Sequence, residues 1–201
     1  MILLVHISKM SGKLEGLLAI NTNPLTNDFC QQMSRHPGFV CSDCYSRRML
    51  STYRKSCVPP FDRNAQELSS RVLDNKDLPS FKSNEIVRFN SHGELININH
   101  LHNIINICNK NSDTRFALWT KRATMVEDMN KPDNMVLIYS NPLLNDSTPT
   151  IPYPVFDKIF SVYTKGYIEA SGMTINCANK CKECLLCYKK NDITSITEKL
   201  K

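Results

Sequence analysis

Long apolar runs are missing from this chain. The most apolar stretch near its start is "ILLV" at residues 2–5, far short of the roughly 7–15 residues of a signal-peptide core or the roughly 20 of a membrane helix. The expectation is a protein that stays in a reducing cytoplasm and makes no membrane contact. Glycine is scarce, with six in 201 residues, and none belongs to a Gly-rich phosphate cradle. No Ser-His-Asp order suited to nucleophilic hydrolysis is present, and no DNA-reading motif. Internal repeats and low-complexity segments are lacking as well. A strong charge of one sign is also absent. The 25 Lys and Arg against 19 Asp and Glu leave +6, which is compatible with nucleic acid or an acidic partner without requiring either.

What the chain does have is cysteine. There are nine, and seven fall into two groups at opposite ends: Cys30, Cys41 and Cys44, then Cys177, Cys181, Cys184 and Cys187. Thiols used only as small buried hydrophobes would be scattered, and in a reducing compartment clustered cysteines point to metal or catalysis rather than disulfides. The C-terminal run "CANKCKECLLC" is C-x3-C-x2-C-x2-C. Its first three cysteines have the spacing of the radical S-adenosylmethionine (SAM) signature, and Cys187 supplies a fourth ligand that would close a centre. Thiolate turns this short suit either zinc or an iron–sulfur cluster, with 4Fe-4S the preferred expectation. An alternative pairs Cys41 and Cys44 with two C-terminal cysteines around one zinc ion. Cys108 falls on the apolar stripe of a predicted helix and Cys57 has no partner near it in sequence, so neither is expected to ligate metal.

At 201 residues the chain is expected to form one domain, residues 1–201, with an N-terminal cysteine loop (30–44) and a C-terminal cysteine run (177–187). Strands are predicted in 13–23, in "EIVRFN", in "TRFALWT" and in "NMVLIYS". Helices are predicted in 42–55, in 62–74 with Asp62 as cap and Ala65, Leu68 and Val72 inward, in 97–110 with Asn97 as cap, in 121–130, and in "PVFDKIFSVYT" from Pro154. The tandem Pro59-Pro60 is expected to break the chain. Strands alternating with helices predict an α/β fold, an abbreviated and incomplete barrel-like parallel sheet of about four to six strands built from βα units, with cysteine-rich metal-bound loops.

Such folds put function where strands end and helices begin. Polar residues follow each predicted strand: Asn21 to Asn23, Asn90 to Glu94, Thr120 with Lys121, and Ser140 with Asn141. A small-molecule ligand or cofactor is therefore expected around His92, Gly93, Glu94, Thr120, Lys121 and Ser140, with Glu94 facing an ammonium and Lys121 a carboxylate. His100 and His102, two apart on a helix, cannot share a face and make no metal pair. Arg47, Arg48, Arg54 and Lys55 form a basic, Tyr-bearing stretch. It would serve a second class of function, a zinc-stapled module binding nucleic acid or a host protein.

The order Cys30, "CSDCY", "VRFNSHGELININHLHNIINIC", "RFALWTK", "NMVLIYSNP" and the terminal cysteine run resembles the phage gene product 88 domain family over nearly the whole chain. The family itself resembles a shortened radical-SAM-type barrel. That resemblance implies a phage protein in the host cytoplasm with cysteine-bound metal and SAM-dependent radical or redox chemistry. By the same likeness "HGE" at 92–94 resembles the Gly-Gly-Glu stretch that contacts the methionyl amine in radical-SAM enzymes. Here His92 stands for the first glycine, and no C-x3-C-x2-C follows the first strand.

Overall fold

The computed structural model describes residues 4–200. Its backbone is one open sheet of seven strands in chain order: β1 (Ser8–Lys9), β2 (Leu18–Ile20), β3 (Ile86–Phe89), β4 (Arg115–Thr120), β5 (Met135–Leu144), β6 (Lys158–Tyr163) and β7 (Ser195–Lys199). Only β1 is antiparallel, to β2, and every later pairing is parallel. The expected α/β sheet of βα units is therefore present, with six parallel strands. Each parallel neighbour follows the last in sequence, as a right-handed crossover repeated in one direction produces.

Between the strands lie α1 (Asp28–Met33), α2 (Tyr45–Ser51), α3 (Val58–Ser70), α4 (Ile98–Lys110), α5 (Ala123–Val126), α6 (Lys165–Ser171) and α7 (Cys181–Cys184). No helix among the described residues is long and apolar enough to cross a membrane.

The register sorts the strand residues into two faces. Ile20, Phe89, Leu118 and Leu137 align across four strands. They pack against Leu68 of α3 and Leu101, Ile104, Ile107 and Cys108 of α4 in the larger core. The next row, Ala19, Arg88, Ala117 and Val136, faces the other way. On that second face Ala117, Trp119, Val136 and Ile138 are covered by Cys187 and Tyr188 from the C-terminal run. One face is thus closed by helices, and the other by the cysteine segment.

Several local expectations need correction. The segment 154–164 forms no helix: its Lys158–Tyr163 part is strand β6. Ile159, Phe160, Val162 and Tyr163 are β-branched or aromatic and suit a pleated surface, and β5 and β7 hydrogen-bond to the segment on both sides. Pro59 and Pro60 start α3 rather than break the chain, because proline in a first turn forfeits no hydrogen bond. Asp62 therefore lies inside α3 and accepts from Asn23 Nδ2 at 2.8 Å. The buried face of α3 is Phe61, Asn64 and Leu68, while Val72 is exposed. Asn97 does cap α4, its side chain accepting from His100 N at 3.1 Å. The apolar spacing of Ile98, Leu101, Ile105 and Cys108 points to them as its inner face, but the buried residues of α4 are His100, Leu101, Asn103, Ile104, Ile107 and Cys108, and Ile98 is exposed. The first predicted strand is reduced to Leu18–Ile20 after a 3-10 turn at Gly12–Leu14, and the helix at 42–55 shortens to α2.

Candidate functional site

The loop after β2 carries the first cysteine group over the carboxyl edge of the sheet. Asn21, Thr22 and Asn23 leave β2 fully buried. Asn27 then caps α1, its side-chain oxygen accepting from Cys30 N at 3.1 Å while its Nδ2 donates to Glu94 O at 3.1 Å. Cys41 lies in a 3-10 turn (Val40–Asp43) and Cys44 immediately precedes α2. Leu144 N donates to Gly38 O at 2.9 Å, so the end of β5 pins the same loop. On the far side, Tyr45 Oη donates to Ser91 O at 2.8 Å, and Ser46 Oγ shares a 2.6 Å hydrogen bond with His92 Nδ1.

The loop after β3 meets that segment backbone to backbone. Thr22 N donates to His92 O at 3.1 Å, and His92 N to Asn21 Oδ1 at 3.0 Å. Gly93 adopts φ +86°, and a Cβ there would lie 2.1 Å from Thr22 Oγ1 and 2.5 Å from Thr22 O. The glycine thus makes room for the neighbouring loop. Glu94 is buried, its carboxylate accepting from Leu95 N and Lys121 N at 2.8 Å each. Burial pushes its pKa up, against the pull of Lys121. Lys121 donates from Nζ to Ser140 Oγ at 2.8 Å. Burial disfavours its charge, but Cys41, Glu94, Cys44 and Cys30 prevail and raise its pKa. Thr120 is buried behind this pair and accepts from Arg122 N at 3.0 Å.

The second cysteine group approaches from the C-terminal run. Cys177 Sγ accepts from Lys13 Nζ at 3.1 Å, and the same ammonium donates to Glu198 Oε1 at 2.7 Å. Cys181 and Cys184 bound α7, and Cys187 lies buried against the second face of the sheet. All four line one small cavity of about 10 Å3. Burial pushes the Cys187 thiol up to about 12, with Arg88 opposing and the other three cysteines reinforcing. Burial likewise raises Cys30, reinforced by Glu94, Cys41 and Cys44. The thiols thus stand as a three and a four.

Both groups open onto a single cavity of about 380 Å3. Six of the seven clustered cysteines line it, Cys184 being the exception, together with His92, Gly93, Glu94, Lys121 and Ser140; Thr120 does not reach it. That volume lies within the range of small-molecule sites. Among the described residues, no group of three or more His, Cys, Asp or Glu side chains is arranged to hold a single metal ion as it stands. The cysteines lining the cavity offer only sulfur donors, the kind that soft metals and iron–sulfur clusters take. Cys108 is buried in the helix-side core, and Cys57 immediately precedes α3 and does not line the cavity.

The basic stretch divides. Arg47 and Arg54 line the cavity, whereas Arg48 is exposed and pairs with Asp43 at 3.5 Å, and Lys55 is exposed. Sequence reasoning missed Arg88, whose guanidinium stacks 3.8 Å above the Trp119 ring, and Tyr188 beside them. A cation alternating with apolar residues in "IVRF" was the available signal.

The class these features define is an α/β protein with an open, mostly parallel sheet in chain order, whose second face holds a cavity walled by two cysteine groups. The gene product 88 family model matches residues 21–182, and the chain belongs to that family. No curated protein and no solved structure matches it.

Proposed function

We propose that the chain is a cysteine-ligated metalloprotein holding two centres. Cys30, Cys41 and Cys44 would ligate an iron–sulfur cluster with one open position. Cys177, Cys181, Cys184 and Cys187 would hold a second, closed centre. The observation that carries this reading is that cysteines from both ends of the chain face one cavity of about 380 Å3. When bound, an open cluster supplies one-electron chemistry to a ligand such as SAM. The residues of the chain orient that ligand. Glu94 keeps lone pairs beyond its two backbone donors, and these can accept from an ammonium. Lys121 stays charged and can neutralise a carboxylate. His92, pushed down to about 4 by burial, Arg88 and Arg54, is neutral at pH 7 and takes no charge into the site. Tyr45 and Phe61 flank its ring and help exclude water.

Anaerobically reconstituted protein should be brown and should bind SAM in calorimetry, and Glu94→Gln should weaken binding roughly tenfold or more. Colourless protein, or binding unchanged by Glu94→Gln, would contradict the SAM reading.

A further inference from the structure

The cavity contains donors that the proposed centres leave unused. Arg88 extends from the middle of β3, and its register neighbours on either side are Ala19 and Ala117. Two methyl groups leave the space that a guanidinium needs. Arg88 Cζ lies 3.8 Å from the centre of the Trp119 ring, a cation–π contact that holds the guanidinium over the indole. Arg88 Nε, Arg47 Nη1 and Trp119 Nε1 are all buried, and none has a hydrogen-bond partner. Buried polar atoms left unpaired each cost roughly 1–3 kcal/mol; Ser91 Oγ and Tyr188 Oη, which also line the cavity, are unpaired as well, so these three nitrogens belong to a set of five. All three are donors, and two carry positive charge.

Acids that might answer them are already engaged. Glu94 accepts from two backbone amides, Asp43 pairs with Arg48, and Glu198 pairs with Lys13 at 2.7 Å. The lining carries six cations (Lys13, Arg47, Arg54, Arg88, Lys121 and Lys199) against three acids. A planar guanidinium whose Nε is unpaired offers a charge-assisted donor to an oxygen of a carboxylate or phosphate.

We propose that Arg88, Arg47 and the indole N–H of Trp119 seat an oxyanion, the carboxylate or phosphate of a small-molecule ligand. Glu94 and Lys121 stand with Cys30, Cys41 and Cys44, while Arg47 lies beside Cys41 and Arg88 beside Cys181 and Cys187, so the seat lies between the two cysteine groups; it does not rest on the metal reading. The ligand class is an acidic small molecule whose anionic group enters between the two cysteine groups.

Trp119 is the chain's one tryptophan, so its fluorescence reports this seat directly. Inorganic phosphate and succinate would be titrated at constant ionic strength made up with chloride, on as-purified protein, with metal content measured in parallel. At least one anion should give a saturable change that chloride does not, and the stronger response identifies phosphate or carboxylate as the group. Arg88→Met should weaken that response roughly tenfold or more, and Arg47→Gln should weaken it too. Arg88→Met removes a buried charge and its unmet donors, which such exchanges commonly tolerate. The melting temperature of the wild type should rise with the anion and that of Arg88→Met should not. Glu94→Gln should leave the anion response intact, which separates this outcome from failure of SAM binding. No saturable response to either probe would overturn the inference. So would an Arg88→Met variant that responds like the wild type, or one that loses metal instead, since its guanidinium would then serve the thiols.

Discussion

Gly93 has no room for a side chain, and this can be tested at a single atom. Its φ of +86° already disfavours an L side chain, and the Cβ of alanine would collide with Thr22 backbone. Gly93→Ala should cost about 2 kcal/mol or more and lower the melting temperature by roughly 4–8 °C. Buried His100 gives a pH-dependent test. Burial lowers it from 6.5 to about 4, and its Nδ1 accepts from Ile96 N at 3.3 Å, so protonation both buries a charge and loses an acceptor. The unfolded chain therefore takes up the proton first, and stability falls as pH drops from about 6.5 toward about 4. By linkage this one group removes about 2 kcal/mol between pH 7 and pH 5. Urea unfolding of His100→Gln should show that much less pH dependence than the wild type. Equal pH dependence would refute the assignment.

At the scale of elements, several asparagine side chains tie α4 to α3 and the turn after it, Asn103 most of all. Buried Asn103 accepts from Leu73 N at 2.7 Å and donates to Leu68 O at 2.8 Å and Arg71 O at 2.7 Å. Asn103→Ala would strip three backbone groups of their partner and cost about 3 kcal/mol. Asn99→Ala, which removes longer bonds to Ser69 O and Ser70 O, should cost less than half of that in the same urea experiment. The long, regular segments were legible in sequence. Strands β3, β4 and β5 and helix α4 follow from their apolar patterns, and α4 from its Asn cap. Strand β6 was not legible, because Val155, Ile159 and Val162 happen to fit helical spacing as well as a strand. Its Lys158 is fully buried with Nζ donating to Asn191 Oδ1 at 2.6 Å, and a local reading cannot foresee such a distant partner. Strand β7, "SITEK", carries too little apolar character to announce itself and forms by pairing with β6.

At the scale of the whole molecule, the parallel order of the sheet sends each strand's polar sequel to one edge. Polar residues after successive strands made that edge readable, and clustering made the cysteines readable. Arg88, Trp119 and Tyr188 were not, because they come from separate elements and meet only through register and chain return. The fold brings residues 30–44 and 177–187 to the same cavity, and from this comes the central claim of two cysteine centres around one pocket. The most direct test is metal and sulfide content per chain, measured anaerobically on the wild type and three variants. The wild type should carry iron and sulfide. Cys41→Ser and Cys184→Ser should each lose part of the complement, a different part in each case, and Cys108→Ala should keep all of it. Iron-free wild type, or Cys41→Ser and Cys184→Ser variants that both retain full content, would contradict the account.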